Sequence, residues 1–123
     1  MIVLFISSLL VLMFYIYRAK WNPVYPDFYP LGKLIKIGHR GAPMMATENT
    51  LESFKKAFDA DILGIELDVQ LSKDGELVVF HNWNLKNVTG SSKNINNMNY
   101  SEICTLSSKN NFEIPLLGEV LDI

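Results

Sequence analysis

The sequence predicts an α/β fold behind an apolar N-terminal helix, and three observations carry that prediction. Short apolar runs ending in glycine or a polar residue recur at 34–37, 62–69 and 77–80, which reads as a set of buried strands. Between the first two runs, Leu51, Phe54, Ala57 and Phe58 fall on one helical face, with Glu52, Lys55, Lys56 and Asp59 largely outside it. Residues 1–17 contain no charged side chain.

The N-terminal run is expected to be a transmembrane anchor over residues 1–20. As a helix, 1–17 would span about 25 Å against a hydrocarbon core of ~30 Å. It lacks the basic start and small-residue cleavage site of a secretory leader. Tyr15, Tyr17 and Trp21 suit a membrane interface, and Arg18 and Lys20 follow at once. A basic flank after the helix favours a cytoplasmic location for the rest of the chain. Residues 21–33 hold three prolines among aromatics and read as an extended linker. Residues 34–123 form the remaining domain. The formal net charge of −2 gives no reason to expect a nucleic-acid partner. A single cysteine, Cys104, excludes an internal disulfide, and its expected place is the buried face of a helix.

The first strand runs into Gly38-His39-Arg40-Gly41. Asn49 followed by Glu52 has the spacing of a capping box at the start of the 51–58 helix. Glu48 can be read as a polar strut of a site or as an ordinary loop residue, and both readings stand at this point. The second strand carries Glu66 and Asp68. On one strand, side chains at i and i+2 share a face, with Cα atoms about 6.5 Å apart. Two such carboxylates suit one hard cation. Residues 72–75, Ser-Lys-Asp-Gly, read as a turn, so Lys73 and Asp74 are expected to be turn residues rather than catalysts. The third strand ends at His81. Residues 82–99, rich in Asn and Ser, are expected to be loop. A short helix then starts near Asn99, with Glu102 at capping-box spacing and with Ile103 and Leu106 on its apolar side. A last helix begins after Ile114-Pro115, with Glu119 on its surface.

Taken one at a time, a histidine at a strand end or a pair of carboxylates has a structural explanation. Taken together, His39-Arg40-Gly41, Glu48-Asn49-Thr50, Glu66-x-Asp68, Ser72-Lys73-Asp74-Gly75 and Val78-Val79-Phe80-His81 resemble the start of the glycerophosphodiester phosphodiesterases. Their order and spacing match that family's H-R, E-x-D and H pattern over about residues 35–121. The resemblance implies a TIM (β/α)8 barrel of the phospholipase C-like phosphodiesterase type, here incomplete. Such a barrel takes ~250 residues, so 34–123 would be its N-terminal part. It further implies a metal-dependent hydrolase acting on glycerophosphodiesters or lysophospholipids in lipid metabolism, with membrane lipid as a further partner. His39 and His81 would be the acid–base pair and Arg40 the phosphate ligand. Glu66 and Asp68 would hold a divalent cation, Mg or Ca. The nucleophile would be the glycerol hydroxyl of the substrate or water.

Two positions depart from the family pattern. Asn82 stands where Asp usually follows the second histidine, and Asn87 stands where Arg is common. A later metal-binding carboxylate of the family would fall beyond residue 123. An inactive membrane-anchored fragment and a related phospholipase of the same barrel type are the competing readings. The E-N-T and K-D-G pieces favour the diesterase.

Overall fold

The computed structural model describes residues 2–20, 32 and 34–123. It divides into two units, Met1–Lys33 and Leu34–Ile123. The 21–31 part of the expected linker lies outside the described residues.

In the first unit, helix α1 covers Ile2–Ala19. From Ile6 to Tyr17 its apolar side chains are exposed, including Leu10, Val11, Phe14 and Tyr17. The expected membrane crossing is not met: among the described residues, no helix is long and apolar enough to cross a membrane. The 18 residues of α1 reach about 27 Å at helical rise. Arg18 already occupies its last turn, which shortens the apolar part further below the ~30 Å a bilayer core requires.

The second unit begins with a β–α–β segment. Strand β1 (Ile37–His39) lies parallel to β2 (Gly64–Glu66), with His39 opposite Glu66, and helix α2 (Leu51–Asp59) connects them. Both strands are shorter than the apolar runs suggested. Pairing starts only at Ile37 opposite Gly64, and the outlying Leu34 and Leu63 are exposed. Helix α2 starts at Leu51 because Thr50, not Asn49, is its cap: the Thr50 side chain accepts from Ser53 N–H at 3.2 Å. Phe54 and Ala57 are buried as expected, Ser53 joins them, and Phe58 is exposed.

Strands β3 (Val69–Leu71) and β4 (Leu77–Val79) form an antiparallel hairpin. The 72–75 segment is the expected turn, with Gly75 at φ 88 and Ser72 N–H donating to Glu76 O at 2.9 Å. Asp74 does more than turn. It accepts from Ser72 Oγ at 2.6 Å and from Tyr100 N–H, the first residue of helix α4 (Tyr100–Ser108), at 3.0 Å. The Ser72 hydrogen bond first, and the Tyr100 N–H with it, hold the Asp74 carboxyl below its ordinary value.

The expected 82–99 loop contains helix α3 (Lys86–Thr89) and a 3-10 turn (Ile95–Asn97). Leu85, Ile95 and Met98 explain why: these isolated apolar residues in a polar stretch are all fully buried. The α4 start keeps half of its capping box, with Asn99 N–H donating to Glu102 Oε2 at 2.9 Å. Cys104, on α4, is only half-buried. Helix α5 (Leu117–Leu121) follows, and exposed Glu119 accepts from Leu116 N–H at 2.8 Å.

Two apolar clusters meet across β4. Val78 and Phe80 join Leu85, Ile95, Met98, Ile103 and Ile114, while Val79 joins Phe54 and Val120. This is the alternation of a strand buried on both faces.

Candidate active site

The polar centre is built where β1 stops. Arg40 adopts φ 57, a backbone region that side chains other than glycine rarely occupy. A set of hydrogen bonds over-determines it. Its N–H donates to Glu66 O at 2.9 Å; its carbonyl accepts from Asn49 N–H at 3.1 Å and from Ser53 Oγ at 3.1 Å. Ser53 Oγ in turn accepts from Ala42 N–H at 2.9 Å. Gly41 must be glycine here: at φ 90, an added Cβ would sit 2.5 Å from Ser53 Oγ and 2.8 Å from the Ser53 backbone. Local strain of this kind, held by its surroundings, is a common property of functional turns.

The turn sends the Arg40 side chain, 17% exposed, between two carboxylates. Nη1 lies 2.9 Å from Glu48 Oε1, and Nε lies 3.1 Å from Asp68 Oδ2. The second contact is an ion pair without hydrogen-bond alignment, since Nε–H makes no hydrogen bond. Asp68 is also gripped by Asn49, whose Nδ2 donates to Oδ2 at 3.0 Å while Asp68 N–H donates to Asn49 Oδ1 at 3.3 Å. Asn49 is 2% exposed and itself at φ 57, a conformation its short amide tolerates. Glu66 takes a different partner. Its Oε2 lies 2.8 Å from His39 Nδ1, so Nε2 is the ring nitrogen that His39 has left for chemistry.

His81 lies two residues past the end of β4. It shares a cavity of about 230 Å³ with Glu48, Asn49, Asn82, Asn87 and Phe112. Its Nδ1 is 3.1 Å from Asn82 Oδ1, an acceptor that favours the tautomer with the proton on Nδ1.

Three carboxylates, Glu48, Glu66 and Asp68, therefore face one guanidinium and one imidazole. That excess of hard oxygen donors fits the chemistry of a divalent cation. Glu66 and Asp68 would supply protein ligands. Among the described residues, no group of three or more His, Cys, Asp or Glu is placed to hold a metal ion.

Residues 39–123 match the glycerophosphoryl diester phosphodiesterase family. The chain belongs to that family. It is 37% identical over 98 residues to a glycerophosphodiester phosphodiesterase of Caldanaerobacter subterraneus, covering 74% of this chain and 40% of the relative. It is 35% identical over 100 residues to a human lysophospholipase D, covering 70% and 32%. Among solved structures, a glycerophosphodiester phosphodiesterase from Thermotoga maritima superposes with TM-score 0.65 at 41% identity, over 73% of this chain and 39% of the other. An Oleispira antarctica phosphodiesterase in complex with the product sn-glycerol-3-phosphate superposes with TM-score 0.63 at 32% identity, over 72% and 39%. The chain thus spans about two fifths of these enzymes or less, consistent with a partial TIM barrel.

On this diesterase frame the sequence-derived residues fall into two linked groups. Arg40 joins Glu48 and Asp68, with Asn49 bridging to the His81 cavity. His39 and Glu66 pair with each other and do not line that cavity. Glu48 accepts from Arg40 Nη1 at 2.9 Å and lines the His81 cavity, an arrangement that suits the strut reading of its sequence position. Glu66 and Asp68 do not share a strand, because β2 ends at Glu66; both still meet Arg40, Glu66 Oε2 accepting from its backbone N–H at 3.3 Å and Asp68 Oδ2 lying beside its Nε. Sequence reasoning assigned Asn49 to a helix cap and gave no role to Ser53 or Gln70. The signal at Asn49 was its residue type, since Asn is among the few non-glycine residues that accept a left-handed backbone.

Proposed function

We propose that this chain carries the first part of a phosphoric diester hydrolase site for glycerophosphodiesters or lysophospholipids, releasing a glycerol phosphomonoester and an alcohol. The observation that supports it most is the Arg40 cluster: a strained, over-determined turn that gathers Glu48, Asp68 and Asn49 beside the His81 cavity. Arg40, with its planar fork, is the group for the phosphate oxygens. Phosphate binding requires its guanidinium to exchange part of its carboxylate contact for the substrate. His39 and His81, each with Nε2 available, are the acid–base pair. One takes the proton of the attacking hydroxyl, which is that of water or of the substrate's own glycerol; in the second case a cyclic glycerol phosphate forms first and water then opens it to the phosphomonoester. The other protonates the alkoxide oxygen as its bond to phosphorus breaks. Glu66 and Asp68 would hold Mg or Ca, which when bound would supply charge neutralisation at the phosphate.

The test is release of glycerol phosphate from glycerophosphocholine and of acylglycerol phosphate from a lysophospholipid, with and without EDTA. His39→Ala and His81→Ala should each lower turnover by roughly 10²-fold or more. Glu66→Ala and Asp68→Ala should raise the cation concentration needed for activity. Unimpaired histidine variants would sink the mechanism, and full activity in EDTA would remove the cation.

For α1 we infer association with a membrane surface. The exposed apolar side chains from Ile6 to Tyr17 need a nonaqueous partner, and the helix's length and Arg18 suit insertion from one side rather than crossing. The chain should stay with membranes through a carbonate wash, and deletion of residues 1–20 should release it. A soluble intact chain would reject this.

A further inference from the structure

We propose that Gln70 is a positioning residue for His81. The inference rests on the reading of His81 as a catalytic acid or base, and it concerns what fixes that imidazole in place. Strand β4 ends at Val79, and Phe80 N–H makes a last bond to Asp68 O at 2.9 Å. His81 lies beyond both, exposed, on backbone that no strand pairing holds. The half-buried Gln70, on β3 opposite Val78, reaches that backbone from the neighbouring strand. Its single Nε2 donates to Phe80 O at 2.7 Å and to Asn82 O at 2.8 Å. The two hydrogens of one amide thus go to the two carbonyls that flank His81. This clamp extends the hairpin's hold past its last ladder bond.

The clamp has a second effect. By fixing Asn82 O it fixes the Asn82 backbone, and with it the side-chain oxygen 3.1 Å from His81 Nδ1. Gln70 therefore acts on both the position of the ring and its tautomer, favouring the proton on Nδ1 rather than Nε2. The task needs two donors on one terminal atom within reach of both carbonyls. Methionine matches its length and offers no donor, whereas lysine keeps donors at the end of an unbranched stem.

The experiment is side-chain ¹⁵N NMR of the His81 ring in the full chain, at a pH where the ring is neutral. Wild type should give separate signals for a protonated Nδ1 and an unprotonated Nε2. In Gln70→Met the two signals should move towards each other as the tautomers average. Gln70→Lys should stay near wild type. Unmoved His81 signals in Gln70→Met, or equal displacement in both variants, would overturn the proposal. Should Gln70→Met lose its cooperative melt, through-hydrogen-bond couplings from the Gln70 amide to the Phe80 and Asn82 carbonyls decide in wild type. Their presence supports the clamp and their absence removes it. Where turnover is measurable, Gln70→Met should lower kcat on the order of tenfold to hundredfold, the scale of a small misplacement, with KM little changed. An active His81→Ala variant would refute the diesterase reading, whereas an inactive His81→Ala beside a fully active Gln70→Met would refute the clamp alone.

Discussion

The two halves of the Leu34–Ile123 unit are held by different forces. The β1–α2–β2 half meets at charged and amide side chains around Arg40, and its buried apolar cluster is small, centred on Phe54, Val79 and Val120. The β3–β4–α4 half meets at seven buried apolar residues from Val78 to Ile114. Polar networks fix geometry and contribute modest net stability, while apolar burial contributes most of the stability and fixes geometry less sharply. The proposed chemistry sits at the first kind of centre and leans on the second for its foundation.

The largest expected effects come from emptying the apolar positions. Ile103→Ala should lower unfolding free energy by about 2–5 kcal/mol and Phe54→Ala by about 3–5 kcal/mol, measured by urea denaturation. The two halves should differ in how the loss is felt. Ile103→Ala should speed backbone hydrogen exchange in α4 and β4 first, and Phe54→Ala in β1 and β2. Identical exchange patterns would mean that the halves melt as one, and the contrast drawn above would fail.

Gly41→Ala sharpens the comparison from the polar side. Its Cβ meets Ser53 at a left-handed backbone position, so a loss of about 1–3 kcal/mol is expected. Turnover should fall further than that destabilisation explains, because the Arg40 turn moves with it. A variant as stable and active as wild type would show that the turn is not strained into place.

The smallest effect concerns acid. Hydrogen bonding from Ser72 lowers the Asp74 pKa from its ordinary 3.8, and hydrogen bonding from the Asn99 N–H lowers that of Glu102 from 4.5. A depressed folded-state pKa adds stability that is fully present above the unfolded value and is lost as pH falls through the folded value. The melting midpoint should therefore drop as pH falls below about 4.5. Asp74→Asn with Glu102→Gln should flatten that slope, by a small amount because both groups are exposed. An unchanged slope would assign acid sensitivity to other carboxylates.

Much of this was legible in the sequence. The apolar runs placed β2, β4 and α2, and the family pattern named every charged member of the Arg40 cluster. What stayed hidden were contacts whose partners lie far along the chain. Asp74 reaches Tyr100 N–H across 26 residues, and Asn49 reaches Asp68 across 19; neither pairing leaves a local signature. The 82–99 segment misled for a related reason. Its composition is that of a loop, yet Leu85, Ile95 and Met98 each occupy a buried place set by β4 and α4. For the membrane crossing expected of residues 1–20, no helix long and apolar enough is found among the described residues.

Strand β4 sends Val78 into one apolar cluster and Val79 into the other, with His81 two residues on. Inserting a single residue after Gly75 would exchange the faces of all that follow it. Both clusters would then receive the wrong side chain, and the imidazole would be turned from the cavity towards the opposite side. The hairpin therefore tolerates substitution far better than it tolerates a change of length. Between Gly75 and His81, the spacing of the residues is itself part of the site.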